Sequence, residues 1–157
     1  MTLKFDDLQI LQTSEAISDG IWKEILQWDP FGRDVIGKQL AKSADSIGAN
    51  IAEAYGRFPY GEKVQFLYYA RGSLFETKYW LNRVRERHLM TDNQVRDYSS
   101  KLSELARQLN SFISDMKTQQ LRRKSIRDTA IDYVTDQDKE IPISFFEEED
   151  LHWIDNI

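Results

Sequence analysis

Apolar residues recur along most of this chain at spacings of three and four, the period of one helix face rather than the alternation of a strand. Over residues 7–28, Leu8, Leu11, Ile17, Ile21, Ile25 and Trp28 form the first such stripe. Gly20 interrupts it at a cost of about 1 kcal/mol relative to alanine. The run WDPFG over residues 28–32 stops it, because proline cannot continue the backbone hydrogen-bond ladder. A second helix is predicted over residues 34–55 from Ile36, Leu40, Ile47, Ile51 and Ala54. Gly56 is its expected left-handed stop, and Phe58-Pro59-Tyr60-Gly61 the turn that follows. Leu67, Ala70, Leu74, Leu81 and Val84 predict a third helix over residues 62–87. Thr91, with Gln94 three residues later, reads as a capping box that starts the fourth. Val95, Tyr98, Leu102, Leu105, Leu109, Phe112 and Met116 continue that helix without a miss. The connections are short, so successive helices must run antiparallel. The expected fold is all-α: an antiparallel up-down-up-down four-helix bundle over residues 1–124.

The seam dissolves near residue 125. Residues 125–157 read as an acidic C-terminal tail with two small apolar clusters, 141–146 and 151–157. The segment is too short and too charged to build its own core, so it stays flexible or docks its clusters elsewhere.

Charge sharpens this division. The formal net charge of −5 conceals three blocks. Residues 1–70 hold 7 Lys+Arg against 10 Asp+Glu, residues 71–127 hold 13 against 6, and residues 128–157 hold 1 against 10. A basic middle followed by an acidic end demands an explanation. The chain has no cysteine, which excludes disulfides and thiolate chemistry. It has no apolar run near the ~20 residues of a membrane span, and acids stand where a secretory leader needs bases. A soluble, cytoplasmic protein is expected.

No catalytic motif is present: no P-loop, no Gly-rich dinucleotide loop, no nucleophile elbow and no zinc-binding helix motif. A di-iron bundle needs two Glu-x-x-His pairs facing inward. The single such spacing, Glu149 to His152, lies in the tail. His88 reads as a cation at the end of the third helix, where it favours the helix dipole and caps carbonyls. The expectation is a protein that is not an enzyme and needs no metal or cofactor.

Three patterns carry the functional reading. On the second helix Gly37, Ala41, Ala44, Gly48 and Ala52 form a stripe of small residues, which either packs inside the bundle or admits a second subunit. On the third, Tyr68, Phe75, Tyr79 and Trp80 make an aromatic strip that needs cover, and these are the candidate oligomer-interface residues. The alternative for the strip is base stacking. Cations also fall on faces. Arg71, Lys78 and Arg85 repeat every seven residues with Arg83 and Arg87 beside them. Arg96, Lys101, Arg107 and Lys117 follow on the fourth helix, which ends in Arg122, Arg123 and Lys124. These are candidate nucleic-acid contacts, since clustered cations attract phosphate chains. The bland alternative is a solvated surface with pairs such as Asp97 and Lys101.

The run QLAKSADSIGANIAEAYGR over residues 39–57, followed by FLYYARGSLFE over residues 66–76, resembles a known signature. It is similar to that of the four-helix-bundle proteins encoded by intervening sequences of bacterial 23S rRNA genes. The accessory variability protein of diversity-generating retroelements is related to them. The resemblance covers roughly residues 5–117. Gln39, Ser43, Asn50, Ile51, Glu53, Gly56, Arg57, Gly72 and Ser73 match the motif, whose role it implies to be fold and assembly. Ala54 departs from it, and the acidic tail is an addition. The resemblance implies a homopentamer, and it suggests RNA, a ribonucleoprotein or a reverse transcriptase as partner. Residues and resemblance together point to a non-enzymatic homo-oligomeric helical scaffold with a basic ridge on helices three and four. The alternative is a protein-binding adaptor that uses the acidic-aromatic tail and has no nucleic-acid role.

Overall fold

The computed structural model describes residues 8–128, all of whose regular structure is helical. Helix α1 spans Gln9–Ile25. Helix α2 is continuous but built from three pieces: a first turn Pro30–Gly32, a π-helical turn Arg33–Gly37 and a long segment Lys38–Gly56. Helix α3 spans Tyr60–Glu86, and α4 spans Asp92–Asp128. The last helix continues past residue 124 to Asp128. The tail from residue 129, with both apolar clusters, Glu149 and His152, lies outside the described residues.

The helices close a ring in which α2 packs on α1 and α3, and α4 packs on α3 and α1. Contacts run in opposite directions along the two pairs that α4 forms. Tyr60 meets Gln119, Tyr68 meets Lys117, and Lys78 meets Ser99 between α3 and α4. Between α1 and α4, Gln94 donates to Glu24 at 2.9 Å, and Tyr98 lies against Gly20. By these contacts α4 runs opposite to α3 and to α1. The interior is aliphatic, with Ile21, Leu40, Ile51, Leu67, Leu74, Leu81, Leu102, Leu105 and Leu109 fully buried. Each such side chain contributes roughly 1.5–3 kcal/mol on burial, opposed by the entropy of ordering the chain.

Local chemistry sets the helix ends. Asp29 accepts a hydrogen bond from the Gly32 amide at 3.0 Å, and Pro30 occupies the first helical position, where its missing N–H costs nothing. The capping box forms in both directions: the Thr91 amide donates to Gln94 Oε1 at 2.9 Å, and the Gln94 amide donates to Thr91 Oγ1 at 3.2 Å.

Two expected stops are corrected. Gly56 is the last residue of α2 and has no positive φ; the chain leaves through Arg57 in an extended conformation (φ −76°, ψ 141°). The Arg57 amide still donates to the Glu53 carbonyl at 3.2 Å and its side chain pairs with Glu53 and Glu62, so this end is tied without a left-handed residue. The left-handed stop occurs instead at His88, with φ 55°. There the Leu89 amide donates to the Val84 carbonyl and the His88 amide to the Arg85 carbonyl, both at 3.0 Å. These are the two bonds of a Schellman end. His88 thus terminates α3 through its backbone, and its exposed side chain is not needed to cap carbonyls.

Glycines inside the helices mark close approaches. A Cβ on Gly37 would lie 2.7 Å from Ile25 Cγ2, and one on Gly20 would lie 2.9 Å from the Tyr98 hydroxyl. The apparent weakness of Gly20 in the first stripe is therefore the space that admits Tyr98.

Candidate nucleic-acid interface

The signature residues run from Gln39 along α2 to Gly72 and Ser73 in mid-α3, with Glu53, Gly56 and Arg57 at the turn between the helices. Arg57 pairs with Glu53 one turn back and with Glu62 at 3.4 Å, and its guanidinium lies 4.8 Å from the centre of the Phe66 ring. The Glu53 hydrogen bond and the nearby carboxylates hold the Arg57 pKa above its ordinary value. Asn50 donates to the Ser46 carbonyl at 2.8 Å. Deeper in, Thr77 donates to the Ser73 carbonyl at 2.8 Å and lies 3.2 Å from Ser43 Oγ, which itself donates to the Leu40 carbonyl. Ile51 is fully buried, while Gln39 and Gly72 are exposed. Of the motif, Arg57 and Ser43 reach α3, through Glu62, Phe66 and Thr77, while Asn50 and Glu53 bond within α2 and its end.

The cations separate into different environments. Lys78 is 0% exposed, its ammonium donating to Ser99 Oγ at 3.1 Å between α3 and α4. It is withdrawn from the ridge of surface contacts. Its seven-residue spacing from Arg71 and Arg85 also places it one turn from Leu74 and Leu81, on the apolar face. Arg85 pairs with Glu86 at 2.7 Å, which holds the Glu86 carboxyl below the usual carboxylate range. Lys101 pairs with Asp97 at 2.7 Å, and Arg107 lies 3.9 Å from Glu104. Arg83 sits over the Tyr79 ring at 5.8 Å. Arg87, Arg96, Arg122, Arg123 and Lys124 are exposed.

One group of cations is interleaved with rings. Lys117 donates to the Tyr68 hydroxyl at 2.8 Å and lies 5.4 Å from that ring, with Arg71 at 5.9 Å. Further along, Arg123 lies 4.9 Å from the centre of the Tyr60 ring, and Tyr60 donates to Gln119 at 3.1 Å. Cations stacked on tyrosines along a helix pair offer charge for phosphates and flat faces for bases. Tyr60, read from sequence as part of a turn, was missed. Its neighbours are about sixty residues away along the chain, a distance that no local spacing reveals.

The aromatic strip divides. Tyr68, Phe75 and Trp80 are half-buried against the protein's own core, while Tyr79 and the unanticipated Tyr69 are each 50% exposed. A second exposed apolar group was also missed: Trp22 on α1, Leu26 just past its end, and Phe31 and Val35 at the start of α2. Trp22 and Leu26 fall off the core stripe of α1, which was the available signal.

The opposite side has another character. A groove of about 400 Å³ between α1 and α2 is floored by Ala44, Gly48, Ala49 and Ala52 and rimmed by Glu15, Asp19 and Asp45. Ser18 donates to Asp45 across it. The small-residue stripe thus serves α1 packing in part, since Gly37 and Gly48 approach Ile25 and Ser14. Among the described residues no group of three or more His, Asp or Glu is arranged to hold a metal ion. Among them, too, no helix is long and apolar enough to cross a membrane.

An all-helical four-helix bundle with this two-part signature defines a class of protein, and comparison with known families agrees with it. The 23S rRNA-intervening sequence protein family matches residues 6–111, and the chain belongs to that family. A solved structure is similar in fold: a protein of unknown function from the S23 ribosomal protein family of Bacteroides thetaiotaomicron VPI-5482. It is 26% identical, covering 66% of this chain and 97% of that one, with a TM-score of 0.60. No match was found among curated proteins.

Proposed function

We propose that this protein is a non-enzymatic, homo-oligomeric helical scaffold that binds RNA or a ribonucleoprotein through the outer face of α3 and α4. The observation that carries this reading is the interleaving of Arg71, Lys117 and Arg123 with Tyr68 and Tyr60. The excess of 13 cations over 6 acids in residues 71–127 supplies the field around it. Self-association is supported by apolar surface that one subunit leaves open: Phe31 at 76% and Trp22 at 54% exposure, with Tyr69 and Tyr79 on α3.

Fluorescence anisotropy with a labelled 20-nucleotide single-stranded RNA tests the binding face. Replacing Arg71, Lys117 and Arg123 together by glutamate should weaken binding at least roughly tenfold, since several phosphate contacts are lost. Equal affinity of variant and parent would exclude this face, and no RNA binding by the parent would favour a protein partner instead.

A further inference from the structure

The seam between α3 and α4 is polar along its length. On α4, Arg96, Ser103, Asn110, Lys117 and Lys124 recur every seven residues, so they share one stripe. Lys117 on Tyr68 places that stripe beside α3, and Lys78 on Ser99, one turn from Arg96 and Ser103, places its other end there. Between these heights lie half-buried Phe75 and exposed Arg107. Lys78, Ser99 and Ser103 are buried beneath the seam, so its outer surface is a shallow track of Arg71, Arg107, Asn110 and Lys117 beside the Phe75 edge, a form suited to an extended acidic chain.

The chain supplies such a segment itself. Residues 129–157 follow directly from α4 and include the acidic run Glu147, Glu148, Glu149 and Asp150, flanked by Phe145, Phe146 and Trp153. The family match ends at residue 111, so this segment is an addition to the shared bundle. Reach is ample. Lys117 stands eleven residues before Asp128, about 16 Å back along a helix. Glu147 stands nineteen residues beyond it, a span of up to ~63 Å when extended.

We infer that residues 129–157 dock along the α3–α4 seam, their acidic run set against Arg71, Arg107 and Lys117. The tail thereby occupies the surface assigned above to RNA, and this second clause rests on that assignment. Tethering gives the acidic run an effective concentration in the millimolar range, enough to compete with a free phosphate chain. Binding of RNA then requires displacement of the tail, and the bundle alone has a higher affinity than the whole chain.

The absence of cysteine allows two unique spin labels, at Ser114→Cys on α4 and Asn156→Cys in the tail of the full chain. Docking in cis gives a short, narrow distance distribution at 50 mM salt. That distribution lengthens and broadens at 1 M salt, and equally when Glu147, Glu148 and Glu149 become glutamine and Asp150 becomes asparagine. Indifference to both changes would overturn the docking. Loss of the short distance on dilution with unlabelled chain would overturn it in favour of a tail that reaches a second copy. The same four-residue neutralisation should tighten binding of a 20-nucleotide oligouridylate on the order of tenfold, by removing the intramolecular competitor. Unchanged affinity would overturn the competition. If neither form binds that RNA, the RNA assignment fails, and the distances still decide the docking.

Discussion

Between α1 and α2 the helices meet through glycine and alanine, with Gly37 against Ile25 and Gly48 against Ser14, and the rim carries Glu15, Asp19 and Asp45. Between α3 and α4 they meet through tyrosine, lysine and serine, with Lys117 on Tyr68 and Lys78 on Ser99. Small residues let backbones approach until any added carbon clashes, so the first contact is set by shape. Long amphipathic side chains instead bury their stems and leave charge at the edge, so the second retains chemistry for a partner. One bundle thus presents an acidic, tightly packed side and a basic, ring-studded side.

The sharpest way to break this contrast is to add a carbon on each side. Gly37→Val places atoms where Ile25 already stands, and overpacking of this kind should cost about 1–3 kcal/mol. Gly72→Ala on the open face of α3 meets nothing within 4 Å and should gain up to about 1 kcal/mol from helix propensity. Urea denaturation of the two variants measures both; equal and opposite signs to these would show that the packing on the two sides has been misassigned.

A second contrast is in pH. Burial, together with the charges of Glu24 and Asp97, pushes the Tyr98 phenol up to about 12. In the unfolded chain it ionises near 10. The neutral phenol therefore stabilises the fold fully below about pH 10, and this contribution is lost as the pH rises through the folded value near 12. Its size is roughly 1–3 kcal/mol by linkage. Tyr98→Phe should remove that alkaline loss, so a melting series from pH 9 to 12 should fall less steeply than in the parent. A smaller effect is expected at the α3 stop. His88→Gly relieves a left-handed side chain and should stabilise by about 1 kcal/mol, read from the same melts.

Long, strongly periodic elements were legible in the sequence because a buried stripe writes itself as apolar residues every three or four positions. Thr91 with Gln94 was legible for a related reason: capping is local. What escaped was non-local. Lys78 shares a seven-residue spacing with Arg71 and Arg85, and spacing alone does not say which edge of that face turns inward toward Ser99. Gly56 carried the usual residue for a left-handed stop, yet the chain leaves in an extended conformation through Arg57, which pairs with Glu62 of the next helix, while His88 took the left-handed conformation without the customary glycine. Trp22 was legible as a residue off the core stripe of α1, whereas the exposure of Phe31 was obscured because the start of α2 meets α1 at a corner that only the folded chain defines. The binding side was half legible. Its charge excess can be counted, whereas the stacking of Arg123 on Tyr60 joins residues that the fold alone brings together.

The most direct test of the central claim is the salt dependence of RNA binding when each side is neutralised in turn. Arg71, Lys117 and Arg123 would be changed to glutamine in one variant, and Glu15, Asp19 and Asp45 to their amides in another. Each phosphate contact contributes about 0.7 to the slope of log affinity against log salt for a single strand, so losing three should flatten the slope by about 2. The second variant should keep the parent slope. A slope unchanged by the first set, or flattened equally by both, would contradict a phosphate-binding face on α3 and α4.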